Sequence, residues 1–399
     1  MGHDDPVRIL VAPDRFADAL SAAQAAEVMA AGWAAAAPDD ALVRLPLSDG
    51  GPGFTEAVRA VRGGEVLPVT VAGPDGADVP VPVLVHDDAD GPTAYLEAAL
   101  VLGPHLLAGV EDPSVTSSYG LGQALRAVLD HGIRRVVVAV GGVATHDGGA
   151  GVLAGLGLAA PALRRGGAAL SGLSAADLDG LAELRRELAS VHLVGAVDSD
   201  VQLLGLHGTS AALASARRVK QDEGQDLERA LSALAHLVGE VVAGDAFRRD
   251  LLVPAGDGRE HTRRLAQLPG AGAGGGLGFV VAALGGVLRP GAHVGAETAG
   301  LHGRLDDADL VLTGERALDG HSLHDGVVAT VAAAALRRAV PVVAVAGEVH
   351  VGRREWGAAG VSGVYAVAER PGEVLSRDGG EVARALRARV ERVARTWSR

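Results

Sequence analysis

The chain has 399 residues, of which 48% are hydrophobic and 21% charged, and its net charge is −13. That length allows two domains and a sizeable core, while the acidic balance argues against nucleic acid or an anionic membrane as the main partner. No cysteine is present, which excludes disulfides, thiol catalysis and thiolate metal sites.

Glycine is abundant, at 57 residues, and predicts many tight turns or close backbone approaches to a ligand. The opening MGHDDPVRIL lacks signal-peptide form, and Pro6 departs from the myristoylation pattern. No apolar run has the length of a membrane span, so the expected location is the cytoplasm. The single lysine is Lys220; the other strongly basic side chains are arginines.

In chain order, Val7–Ala12 reads as a strand. Ser21 and Gln24 form a capping-box pattern that opens an Ala-rich helix to about Ala36. Ala41–Leu47 reads as a second strand, and a helix starts near Gly53. This alternation is the signature of a parallel sheet with crossover helices. Val66–Val71 and Val79–Val85 flank the turn AGPDGAD and predict an antiparallel hairpin. Strands are expected at Ala94–Ala98, Arg135–Val140 and Val191–Val197, with helices at Ser117–Leu129 and Leu227–Val242. Alternation returns with strands Asp309–Thr313 and Pro341–Ala346 around a helix at Val327–Arg338, then a strand Gly363–Val367 and a helix Val382–Val393. The expectation is an α/β chain: a Rossmann-like parallel-sheet domain from both chain ends (1–75 plus 286–399) and an inserted second α/β domain (76–285).

The expected strand ends repeatedly carry glycine with a carboxylate. Asp14 follows the first strand, Asp49 the second (SDGGPG), Asp147 the third of these (GGVATHDGGAG), and Asp198 and Asp200 the next (DSD). Glu315 and Asp319 follow in TGERALDG, and Glu348 in AGE. Open parallel sheets bind ligands at the carboxyl ends of their strands. Glycine lets backbone N–H groups approach an anion, and nearby carboxylates suit Mg²⁺, which shares its shell with phosphates and water. Together these are what nucleotide phosphoryl transfer needs. Asp and Gly are also ordinary turn and cap residues. A G-x-G-x-x-G match at Gly270, Gly272 and Gly275 follows no clear strand, and the chain has no G-x-x-x-x-G-K-[ST] loop. His321 and His324 lack an evident third ligand and read as loop residues; RRELAS and ARRVK read as solvated faces.

The ordered series ILVAPDRFADALSAAQAAEVMAAG, LPLSDGGPGFTEAV, VGGVATHDGGAGVLAGLG, LPGAGAGGGLG, LRPG and ADLVLTGERALDG resembles the bacterial glycerate 2-kinase family, of the type with a Rossmann-like and an inserted domain, over nearly the whole chain. The resemblance implies ATP- and Mg²⁺-dependent phosphorylation of D-glycerate at its 2-hydroxyl, in a cleft between the domains. It implies collective phosphate, metal or hydroxyl roles for Asp49, Asp147, Asp198, Glu315 and Asp319, with Asp198 and Glu315 as metal ligands. Substrate or phosphate contacts are implied for Asp14, Arg15, Gly50, Gly51, His146, Gly148, Gly149, Gly274, Gly275, Gly314 and Arg316. The chain departs from the family pattern at Arg15, Ala17, Asp18, Pro52, His146, Arg316 and Ala317, and Arg217 falls near a family lysine. Three motifs thereby lose a lysine. Two readings follow: a small hydroxy-acid kinase, or a catalytically lapsed homologue that binds a ligand or partner. A nicotinamide oxidoreductase, resting on the glycine match alone, ranks last.

Overall fold

The computed structural model describes residues 6–109, 112–216, 218–249, 258–370 and 373–398, without the side chains of 245–249. Its strands are β1 (Arg8–Val11), β2 (Ala41–Arg44), β3 (Glu65–Ala72), β4 (Asp78–Asp88), β5 (Gly91–Glu97), β6 (Arg135–Ala139), β7 (His192–Val197), β8 (Val287–Pro290), β9 (Leu310–Leu318), β10 (Val342–Val349) and β11 (Gly363–Ala366). The chain divides into two compact units. Unit 1 comprises Met1–Asp49, Gly53–Gly63 and Gly291–Arg399; unit 2 comprises Gly50–Pro52 and Gly64–Pro290.

Unit 1 is a five-stranded sheet in the order β11-β10-β9-β1-β2, parallel throughout. Renumbered within the unit, this is the doubly wound order 2-1-3-4-5, whose strand order reverses between β1 and β9. Side chains alternate across a strand, so β1 feeds two cores. Ile9 and Val11 pack with Met29, Trp33, Leu386 and Val390 of the helices Ala22–Ala36 and Gly379–Trp397. Leu10 and Ala12 face the opposite layer, with Val331 and Ala335 of the helix Val327–Leu336. The helix Ala22–Ala36 starts where its sequence signal lies. Ser21 Oγ accepts from the Gln24 N–H at 3.3 Å, and Gln24 Oε1 accepts from the Ser21 N–H at 3.0 Å. Trp33 then donates its indole N–H to Asp40 at 2.8 Å, giving the buried ring the polar partner it needs.

Unit 2 is a six-stranded mixed sheet in the order β3-β4-β5-β6-β7-β8. The hairpin β3–β4 is antiparallel, as AGPDGAD predicts, and β4 pairs antiparallel with β5; β5 through β8 are parallel. One core unites its layers, including Val138, Leu153, Leu231 and Phe279.

Two strands outrun their expected ends. The register pairs Ala346 with Glu315 and Glu348 with Ala317, so β9 and β10 continue side by side. Glu315 and Glu348 therefore stand on strands, not in the loops the sequence suggested. The strand β8 and the helices Ala150–Gly155, Ala273–Ala283 and Gly291–Thr298 also carried no clear sequence signal. The chain belongs to the α/β class, with helices on both faces of the unit 1 sheet. Among the described residues, no helix is long and apolar enough to cross a membrane.

Candidate functional site

The carboxyl ends of β1, β2 and β9 gather acidic side chains in unit 1. Asp14 follows β1 and is buried; its N–H donates to the Gly314 carbonyl at 2.8 Å, which ties the β1 exit to β9. Its carboxylate accepts from the Arg15 N–H at 2.6 Å. Burial pushes the Asp14 carboxyl well up, the Asp49 and Glu315 charges add to the push, and the Arg15 N–H and guanidinium oppose it. Glu315 rises to about 8, through burial first and then the charges of Asp49 and Asp319, against the pull of Ser322. Its Oε1 is shut off from solvent with no hydrogen-bond partner. These groups stand where the strand order reverses, the position at which open α/β sheets bind ligands. Gathered carboxylates that raise one another hold either a proton or a cation.

The neighbouring residues do other work. Asp319 Oδ1 accepts from the Ser322 N–H at 3.0 Å, and the Asp319 N–H donates to Ser322 Oγ at 3.2 Å, closing the turn after β9. Arg316 donates to the carbonyls of Ser376 at 3.0 Å and Leu375 at 2.8 Å. Its guanidinium also lies 3.7 Å from Glu348, whose Oε1 accepts from the Leu375 N–H. The side chain expected to contact phosphate is thus engaged in clasping the segment before the last helix. Arg15 lies 3.6 Å from Asp18. Ala17, where the family has lysine, sits at φ 48, a conformation costly for a residue with a Cβ. His321 and His324 lie in the turn before the helix Val327–Leu336.

Unit 2 holds the second group of expected residues. Asp147 is engaged both by its own loop and by Ser118, 29 residues earlier in the chain. Oδ2 accepts from the Ser118 N–H (2.8 Å), the Ser118 hydroxyl (2.9 Å) and the Gly151 N–H (3.2 Å), and Oδ1 from the Gly149 N–H (3.0 Å). Burial pushes its carboxyl up, and these four donors oppose the shift. Such a carboxylate anchors a helix start rather than presenting lone pairs to a ligand. His146 is buried, its Nε2 2.9 Å from Ser210 Oγ; burial lowers its pKa to about 4, so the ring is neutral at pH 7. Asp198 leaves the end of β7 half-buried, close enough to Gly141 that a Cβ there would meet Oδ2 at 2.4 Å. Gly50 and Gly51 precede Pro52 in a short segment whose Gly50 carbonyl accepts from the Gly141 N–H.

The glycines answer to packing. Gly148 donates its N–H to the Gly275 carbonyl at 3.0 Å, joining two glycine loops. Gly275 has φ +64, and a Cβ there would lie 2.0 Å from the Thr145 carbonyl oxygen; on Gly149, at φ +76, one would lie 2.2 Å from Val280. Gly274 and Gly275 belong to a left-handed run that opens the helix Ala273–Ala283. The G-x-G-x-x-G match therefore starts no strand-to-helix dinucleotide turn. Between these loops lies a 260 Å³ cavity lined by Gly142, Thr145, His146, Asp198, Arg218 and Gly275, among others. Thr145 and Arg218 were missed from sequence, because nothing in either motif distinguishes a lining side chain from a surface one. Lys220 pairs with Glu223 at 3.2 Å on an exposed helix start. Arg217 lies outside the described residues.

A sequence model of the glycerate kinase family matches residues 9–398. An uncharacterised protein of Mycobacterium bovis is 37% identical over 371 residues, covering 92% of this chain and 86% of the relative. The glycerate kinase of Bacillus subtilis is 32% identical over 350 residues, covering 86% and 85%. A crystal structure assigned as glycerate kinase 2 of Salmonella typhimurium LT2 superposes with a TM-score of 0.74 at 30% identity, covering 98% of both chains. By family match, by relatives and by fold alike, the chain belongs to the glycerate kinase family.

Proposed function

We propose that the protein transfers the γ-phosphate of ATP to the 2-hydroxyl of D-glycerate. The observation that carries this reading is the cluster of the buried Asp14 with the half-buried Asp49 and Glu315 at the strand-order reversal of unit 1, where Asp14 and Glu315 are raised and the Asp49 charge adds to both shifts, in a chain of this family. Phosphoryl transfer asks little covalent chemistry of a protein; positioning and charge stabilisation do most of the work. The orphaned Glu315 Oε1 and the raised carboxyls fit a divalent cation, which would offset their repulsion. Asp14, Asp49 and Glu315 would hold Mg²⁺, and Mg²⁺ would neutralise charge on the phosphate oxygens. As the substrate oxygen bonds to phosphorus, the bond to the ADP oxygen breaks, and the hydroxyl proton passes to whichever carboxylate of this set does not hold the cation. Asp319 shapes the turn beside them. An acidic protein without a membrane-spanning helix among its described residues suits a cytoplasmic enzyme of small metabolites.

The test is ADP release from ATP and Mg²⁺ with D-glycerate, with the product read by phosphorus NMR. We expect 2-phosphoglycerate, and loss of turnover in Asp14→Asn and Glu315→Gln. Folded protein that yields no ADP with glycerate or related hydroxy acids rules the reading out. A second reading, a homologue that binds without turnover, draws on the engagement of Arg316 with Leu375 and Ser376. It predicts ATP or glycerate binding with no product.

A further inference from the structure

The helices Thr209–Ser215 and Gln221–Arg249 flank a separate cavity of 620 Å³, inside the range of roughly 300–1,000 Å³ typical of small-molecule sites. Its lining runs from Gly205 to Glu228, so it belongs to unit 2 alone. Its chemistry is lopsided. Among the described residues of the wall, Glu228 is the one ionisable group. Glu228 Oε1 accepts from the Gly205 N–H at 2.7 Å, while Oε2 is shielded and has no hydrogen-bond partner. The carboxylates beside it in sequence differ: Glu223 pairs with Lys220, and Asp226 with Arg229. A carboxylate oxygen denied both water and a donor is costly. The terminal torsion of a glutamate is soft, so the group turns towards a cationic donor at little cost. The rest of the wall is apolar or neutral. Ala211 and Ala214 give it a small apolar floor, and Leu206, 92% exposed, stands at its rim. Gln221 and Gln225, one helical turn apart, add uncharged amides.

We propose that this cavity binds a small organic ammonium compound, with its charged nitrogen on Glu228 and its apolar body against Ala211 and Leu206. A described wall with one carboxylate and no cation disfavours phosphates and carboxylic acids, so the occupant is chemically unlike a nucleotide or a hydroxy acid. The proposal does not rest on the kinase reading. The helix Thr209–Ser215 is a partition: Ser210 lines this cavity, and Thr209 and Ala212 line the 260 Å³ cavity. Ser210 Oγ also lies 2.9 Å from Nε2 of His146, which lines that second cavity. An occupant on Glu228 therefore stiffens a wall common to both, and amide exchange reports such stiffening.

The test is calorimetric titration of the full chain at neutral pH with three probes of one shape: cyclohexylamine, cyclohexanol and cyclohexanecarboxylate. The amine is protonated under these conditions. We expect it to bind about tenfold or more tighter than the alcohol, with the carboxylate weakest. Glu228→Gln keeps an acceptor for the Gly205 N–H and should abolish the preference for the amine over the alcohol. Ala211→Leu fills the cavity and should weaken amine and alcohol alike. Hydrogen exchange across Thr209–Ser215 should slow when the amine is added to wild type and stay unchanged in Glu228→Gln, which non-specific adsorption to an acidic protein would not produce. Equal affinity for amine and alcohol, a preference that survives Glu228→Gln, or folded wild type that does not bind the amine each overturns the proposal. Because the titration needs no turnover, its outcome is independent of the kinase reading.

Discussion

Asp147 and Glu315 are both acidic, both shielded, and both placed beside a glycine, yet their surroundings make them opposites. In unit 2, Asp147 receives four hydrogen bonds from Ser118, Gly149 and Gly151. In unit 1, Glu315 keeps an oxygen with no partner and feels Asp49 and Asp319 as like charges. A satisfied carboxylate serves the architecture; an unsatisfied one beside other carboxylates stores free energy that a cation or a proton can release. The distinction between holding and acting thus lies in the donors each group meets, not in the residue type.

The sharpest way to break the comparison is Gly275→Ala. Its Cβ would stand 2.0 Å from the Thr145 carbonyl at a positive φ, so a loss of about 3 kcal/mol or more is expected in denaturant unfolding. Asp147→Ala comes next. It strands the Ser118, Gly149 and Gly151 donors and should cost about 2–4 kcal/mol, with activity falling only as folded protein is lost. Glu315→Gln should behave in the reverse sense. The native carboxyl titrates near 8 against an ordinary 4.5, so its contribution is full below about pH 4.5 and is lost as pH rises through 8. Metal-free wild type should lose stability across that window. Glu315→Gln should flatten the decline and be the more stable protein at pH 8, while lacking turnover. Thermal unfolding against pH reads both. Arg316→Ala should cost about 1.5–3 kcal/mol through its lost carbonyl contacts and leave the KM for ATP within about twofold; a large rise in that KM would restore the phosphate role read from sequence. The smallest effect belongs to Lys220→Ala, about 0–0.5 kcal/mol for one exposed ion pair.

Local signals were legible and distant ones were not. The Ser21 capping box, the AGPDGAD hairpin and the β1 and β2 strands follow from neighbours a few residues apart. The full lengths of β9 and β10 do not, because their ends depend on pairing with each other. The sequence placed Asp147 and Arg316 in binding motifs, but Asp147 meets Ser118 from 29 residues away and Arg316 meets Leu375 from 59. Neither partner leaves a mark near the motif. Thr145 was hidden for the same reason: its place in the cavity lining and its unpaired hydroxyl both follow from the fold.

The pairing of Ile9 with Leu310, and of Arg8 with Asp309 at 2.9 Å, has a consequence for biosynthesis. The ribosome releases β1 first, yet its neighbour β9 emerges some three hundred residues later, and the nascent amino-terminal strands cannot complete their sheet in the meantime. The stretch Gly64–Pro290 contains every strand of its own sheet and can fold while the carboxyl end is still being made. Once compact, it shortens the effective loop that separates β1 from β9 and lowers the entropy of closing it. Until then β1 and β2 lack the neighbour that completes their sheet, and β1 presents an unpaired strand edge.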